Sequence, residues 1–340
     1  MAAITQKMVV PLVKFSHFFN FDALPELATE ELLDDVTHLS LLADRLGLDA
    51  LYVAEHHFTE YGRMPAPLHY LAYLAGLTKR IDLGVAVVEA PYCHPLKLAE
   101  EAALVDRLSS GRLRLGLGSG AANKPLEFER FGIPLEEKGA RALEVTEIVR
   151  QALTSNRVDF QGNYYAFENV EFSMRPIRPA SELIWVAASA RSAEYAGRHA
   201  MPFMLPRPVP EAKNHETLAL YRSALPQDRH GYVTALRFIF VGESKREALD
   251  MARTTFRRYA KYDAGVEWNG RTSGVEYEAL CERLKFIAGT PDEVESQIRA
   301  WAADLGADEI MTQMYAAGTR REDAQRSMEL FARDVTPRFA

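Results

Sequence analysis

Only two cysteines occur in 340 residues, Cys93 and Cys281, far apart and in no CxxC or Cys/His pattern. That spacing excludes a disulfide framework and suggests no zinc site, so reduced thiols and a cytoplasmic setting are expected. No apolar run approaches the roughly 18 residues of a membrane span, and the amino-terminal stretch lacks the small-residue cleavage pattern of an export signal. An unexported chain with no membrane partner is therefore expected. The formal charge is −7, with no long Lys/Arg run, so the electrostatic footprint of nucleic-acid binding is missing. Repeats and low-complexity tracts are absent too. Apolar material is plentiful at 48% of residues, enough for one large core, and residues 1–340 read as a single domain.

One rhythm runs through the first 120 residues: a short apolar run, an amphipathic stretch of helical length, a turn. That is βα alternation. Strands are predicted at 13–19, 50–55, 82–88 and 112–118, the second and third almost continuously apolar, as strands covered on both faces must be. The fourth alternates Arg and Leu at its start, which predicts an outward side reaching solvent. Thr29 is the expected N-cap of the first helix, followed by Glu30 and Glu31 at the positive end of the dipole, with Gly47 as the stop. Leu32, Val36, Leu39, Ala43 and Leu46 make its buried stripe, leaving Asp34, Asp35 and Asp44 to water or the flanks. Helices follow at 67–77 and 94–108, the latter entered at Pro95 and closed by Gly111. Alternation resumes with strands at 182–188, 201–205, 234–242 and 307–315. Eight parallel strands close a (β/α)₈ TIM barrel, an α/β fold. Two insertions interrupt it: a short hairpin near 158–172, turning at Gly162–Asn163, and a lid-like loop near 261–289, Gly-rich and weakly periodic.

Barrel chemistry sits at the carboxyl ends of the strands. Glu55-His56-His57-Phe58 follows the second strand directly; three ionisable side chains in a row are costly to bury there, and imidazole moves protons near neutral pH. His56 is the leading catalytic candidate. His57 divides evenly between a substrate pocket and a hydrogen-bonded framework role near a subunit interface. Adjacent residues of extended chain point to opposite sides, so the pair does not readily face one ion, and no metal is expected. The turn Gly116-Leu117-Gly118-Ser119-Gly120 leaves backbone open to a planar ligand, or equally permits a tight exit from the strand; Ala121 breaks the GxGxxG pattern. Ser189-Ala190-Arg191-Ser192 opens a helix after an apolar strand, which suits a phosphate as well as an ordinary N-cap. Arg141, in the helix after Phe131-Gly132-Ile133-Pro134, offers charge to that phosphate. Phe18, Phe58, Tyr61 and Arg207 are expected around a substrate pocket.

EHHFTEYG at 55–62, CHPLKLAEEAALVDRLSSGRLRLGLGSG at 93–120, FG at 131–132 and VAASARS at 186–192, in that order and spacing, resemble the bacterial luciferase family of flavin-dependent oxidoreductases. The likeness covers nearly the whole chain and is weakest between 205 and 290. It implies His56 beside the flavin ring as the catalytic histidine, with a non-proline cis peptide at Ala86–Val87 beneath the ring. Arg141, Ser189 and the backbone of Arg191 and Ser192 fall at the phosphate, with Ala188 and Ala190 also against the cofactor. Reduced FMN, supplied by a separate flavin reductase, would react with O2 to a flavin hydroperoxide that oxidises a carbonyl, sulfur or carbon substrate. The resemblance also implies a homodimer through the helices after the second and third strands. Gly118 stands where light-emitting members carry cysteine, and Ser119 where they carry a phosphate-binding arginine, so the ring site is expected to be roomier and the phosphate site less charged. The lid-like loop is shorter as well, and bioluminescence is not expected. Three other readings stand beside this one: a deazaflavin-dependent hydride-transfer enzyme on the same barrel, a non-catalytic flavin-binding protein, and a metal hydrolase.

Overall fold

The computed structural model describes residues 13–59, 61–121, 124–205, 211–263 and 285–339. From β1 (Lys14–Phe19) the chain enters α1 (Thr29–Leu46), β2 (Ala50–Val53), α2 (Pro67–Leu77), β3 (Asp82–Glu89), α3 (Pro95–Leu108) and β4 (Leu113–Gly118). Beyond these lie α4 (Pro125–Arg130) and α5 (Lys138–Ser155), then an antiparallel hairpin of β5 (Arg157–Gln161) and β6 (Ala166–Glu171). The short α6 (Ala180–Leu183) leads to β7 (Ile184–Ala187), α7 (Ala190–Arg198), β8 (Phe203–Leu205), α8 (Glu211–Ser223), β9 (Val233–Val241) and α9 (Lys245–Asp263). The carboxyl-terminal part holds β10 (Ile287–Gly289), α10 (Pro291–Leu305), β11 (Glu309–Gln313) and α11 (Arg321–Asp334). None of the described helices is long and apolar enough to cross a membrane.

β1 pairs in parallel with β2 and β11, while β9 pairs with β8 and β11. The order β1-β2-β3-β4-β7-β8-β9-β11 therefore closes on itself as a (β/α)₈ barrel. Strand alternation sorts the side chains: Leu51, Val53, Leu83 and Val85 face the helix layer, where the main core lies, and Phe18, Tyr52, Trp185 and Met311 fill the barrel. β10 is a ninth strand that the sequence did not announce. It pairs Ile287 with Ile239, on the carboxyl-terminal half of β9. It also takes up the end of the stretch expected to be a lid, of which residues 264–284 lie outside the described residues.

Three local expectations change. Thr29 is the first residue of α1 and Ala28 the N-cap, with no side-chain cap bond; Gly47 does end the helix, at φ 90°. Asp35 is buried, because its Oδ2 accepts a 2.8 Å bond from the Tyr315 hydroxyl. Arg114 turns inward rather than to solvent. Leu113, Leu115 and Leu117 take the helix-facing side of β4, so Arg114 points into the barrel and pairs with Glu309 at 2.7 Å and Asp82 at 2.8 Å. Its guanidinium also lies 4.9 Å from the Trp185 ring centre. This paired charge plugs the amino-terminal end of the barrel, and the opposite end stays available for a ligand.

Candidate active site

The carboxyl ends of the strands frame a cavity of about 750 Å³, inside the roughly 300–1,000 Å³ typical of cofactor and small-molecule sites. Phe18, Met204, Leu236 and Met311 give it an apolar floor.

His56 leaves the end of β2 and lines this cavity. Its Nε2 lies 3.1 Å from Asn20 Oδ1, and Asn20 is itself oriented by donating from Nδ2 to the Tyr61 carbonyl at 2.8 Å. On the other edge of the ring, Lys124 Nζ lies 2.7 Å from His56 Nδ1. An ammonium only donates, so Nδ1 accepts and Nε2 carries the hydrogen given to Asn20. The network thus assigns a neutral imidazole in one tautomer. Gly62 packs so closely that a Cβ there would meet His56 Cδ2 at 2.1 Å.

His57 and Phe58 do not line the cavity, which corrects the substrate-pocket place expected of Phe58 and the pocket half of the reading of His57. Alternation along extended chain turns His57 the other way: its Nε2 reaches Glu55 Oε1 at 2.9 Å, and its ring meets Phe131 edge-on at 4.9 Å. Phe58, 55% exposed, packs against Phe131. Phe18 and Tyr61 do line the cavity. Arg207 lies outside the described residues.

The Ala86–Val87 peptide is cis, and the pairing of β3 with β4 shifts register between Val85 and Val88. Both residues line the cavity, as do Gly118 and Ser119. A Cβ at Gly118 would meet Val87 Cγ2 at 2.4 Å. The space gained by glycine is therefore occupied by a valine methyl, and the ring site is not roomier at this point.

Ala188, Ser189, Arg191 and Ser192 also border the cavity, while Ala190, the first residue of α7, does not. Ser189 Oγ accepts the Ser192 N–H at 3.1 Å, and Ser192 Oγ accepts the Ser189 N–H at 3.0 Å, a reciprocal cap that sets the helix start against the cavity. Arg141 is not part of that wall. Its Nε donates to Glu137 at 2.8 Å, and its guanidinium lies 4.3 Å from the Tyr164 ring centre. Lys138 and Arg191 stand there instead. Lys138 Nζ donates to Ser119 Oγ at 3.1 Å and to the Gly120 carbonyl at 2.8 Å; burial holds its pKa below the ordinary lysine value. Gly139 leaves room for Arg191, whose Cδ a Cβ would meet at 3.0 Å. Two cations and a helix start make a wall that fits a phosphate, so the charge forgone at Ser119 is made up by neighbours.

Glu89 ends β3 and lines the cavity, buried. Its N–H donates to Glu55 Oε2 at 2.8 Å, and its Oε1 lies 3.9 Å from His56 Nδ1. Burial, and then the neighbouring Glu127 carboxylate, push the Glu89 carboxyl up to about 8. Asn20, Glu89, Lys124 and Lys138 were all missed from sequence. The first two stand immediately after predicted strands, where the strand-end rule points; the two lysines carry no local signal. Among the described residues, no group of three His, Cys, Asp or Glu is arranged to hold a metal ion.

A profile of the luciferase-like monooxygenase family matches residues 13–334. The 4-hydroxyprotoasukamycin monooxygenase of Streptomyces nodosus subsp. asukaensis is 30% identical, over 87% of this chain and 84% of its own. The oxygenase component of the flavin-dependent trigonelline monooxygenase of Acinetobacter baylyi is 26% identical, over 96% of each chain. A crystal structure of a monooxygenase from Streptomyces bottropensis superimposes with a TM-score of 0.86 at 29% identity, covering 96% of this chain and 100% of that one. With the barrel, the cavity and a match across nearly its whole length, the chain belongs to the luciferase-like monooxygenase family of enzymes.

Proposed function

We propose that the chain is the oxygenase component of a two-component system, taking reduced FMN from a separate flavin reductase and using O2 to oxidise a small organic substrate. Reduced FMN, dioxygen and substrate would give oxidised FMN, a product carrying one oxygen atom, and water. The observation that carries this reading is the convergence on one cavity of His56, the Ala86–Val87 bulge beside Gly118, and the Lys138–Arg191 wall at the start of α7. The ring would lie against the bulge and the phosphate against the cations. The apolar floor suits the hydrocarbon part of a substrate, and His56, held neutral by Lys124, offers its imidazole beside the ring. A homodimer belongs to the same proposal, since α2 and α3 leave Tyr73, Leu77, Leu104 and Leu108 between 42% and 57% exposed.

The test is a titration with reduced FMN and with reduced deazaflavin, followed by turnover with a flavin reductase, isotopically labelled dioxygen and a panel of carbonyl, thioether and sulfonate compounds. Reduced FMN is expected to bind, one labelled oxygen to enter the product, and His56→Ala to lower turnover about 10²–10⁴-fold, the range for a positioned acid or base. Tight deazaflavin binding with oxygen-independent turnover would replace the proposal with hydride transfer. Equal binding of oxidised and reduced FMN with no product would leave a flavin-binding protein.

A further inference from the structure

Glu89 sits two residues beyond Val87, with its side chain only 5% exposed. Charged and titratable groups face it from every neighbouring element. Glu55 and His56 come from the segment after β2, and Glu127 and Lys124 from the start of α4. Tyr92 and Cys93 come from the turn after β3, and Lys138 comes from α5. Lys124 divides its charge, lying 2.7 Å from His56 Nδ1 and 3.7 Å from Glu127 Oε1. Glu89 Oε2 is buried with no well-aligned hydrogen-bond partner among the described residues, and the Glu127 carboxyl and Tyr92 hydroxyl that crowd it are buried and equally unmet. An enclosed carboxyl with an unmet oxygen, beside two more carboxylates, is cheaper to hold as the acid than as the anion.

We propose that Glu89 is a neutral carboxylic acid in the cavity wall that gives its proton to dioxygen as the flavin reduces it. This rests on the FMN reading above. Bound reduced FMN, as its anion, would supply two electrons and one hydrogen, whereas hydrogen peroxide needs two hydrogens. Glu89 supplies the second: its O–H bond breaks, an O–H bond forms on the reduced oxygen, oxidised FMN is left, and the carboxylate recovers a proton from solvent. When a substrate takes one oxygen atom, the same proton leaves in the water formed.

One arm of the test needs no flavin. A carboxyl pushed up to about 8 keeps a proton in the folded state that the unfolded chain, at about 4.3, has released. Stability present at low pH is then lost as pH rises from about 4.3 to about 8. The unfolding free energy of the parent should fall across that window relative to Glu89→Gln. A gap that stays constant with pH overturns the proposal. The second arm follows oxidation of bound reduced FMN by oxygen, and hydrogen peroxide release, without organic substrate. The parent rate should fall as pH rises through about 8, and Glu89→Gln should run about 10²–10⁴-fold slower with no such limb. Glu127→Gln removes a neighbouring negative charge and should move the limb to lower pH, which decides the matter if Glu89→Gln does not fold. Superimposable profiles overturn the role of Glu89 alone, whereas failure of reduced FMN to bind overturns both proposals.

Discussion

At the scale of single residues, the site depends on contacts that leave no spare volume. Gly62 faces His56 Cδ2 at 2.1 Å and the Asn20 carbonyl at 2.8 Å, measured from where a Cβ would stand. One of these neighbours is backbone, so the imidazole has to give way. Gly62→Ala should therefore displace His56 and lower turnover about 100-fold, the scale of a 1 Å misplacement, while overpacking costs about 1–3 kcal/mol of stability. Steady-state kinetics beside thermal unfolding separates the two effects; unchanged turnover would show that the ring position does not matter. His56 itself was legible in the sequence, because consecutive ionisable residues at a strand end need a reason to be there. Its tautomer was not, since Asn20 and Lys124 lie 36 and 68 residues away and meet it only when the barrel closes.

Individual elements show which sequence signals carry over. Pro95 and Gly47 punctuate α3 and α1 where expected, because a fixed φ and a left-handed φ are backbone properties that tertiary context does not rewrite. The cap of α1 did not transfer. Thr29 has the right chemistry, yet the extended residue is Ala28, at φ −63° and ψ 147°. Ala28→Ser puts a hydroxyl where it can accept from the first free N–H groups of the helix, and should raise stability by about 1 kcal/mol. The midpoint of denaturant unfolding reads this, and no increase would mean the backbone ahead of α1 cannot present the cap. β10 escaped notice because three residues are too few to show a period, and its pairing with β9 is contributed by the fold.

For the molecule as a whole, the charged cluster at the amino-terminal end of the barrel is the feature that composition hid. Alternating Arg and Leu reads as a half-wet strand; the closed barrel inverts that, because the helices claim the leucines and Arg114 is left inside with Glu309. Burial works to raise Glu309, but the Arg114 guanidinium prevails and holds its carboxyl below the ordinary range. A depressed folded value stabilises the barrel above about pH 4.3, and that contribution is lost as pH falls through the folded value. Glu309→Gln strands part of a buried charge, so a loss of about 3–5 kcal/mol is expected, with a shallower acid-unfolding curve; equilibrium unfolding at several pH values checks both. An equally steep acid transition in the variant would exonerate Glu309.

That same stopper of paired charge has a consequence for traffic. With Arg114 and its carboxylate partners filling the far end of the barrel, the chamber is lined and reached from the side where the strands finish.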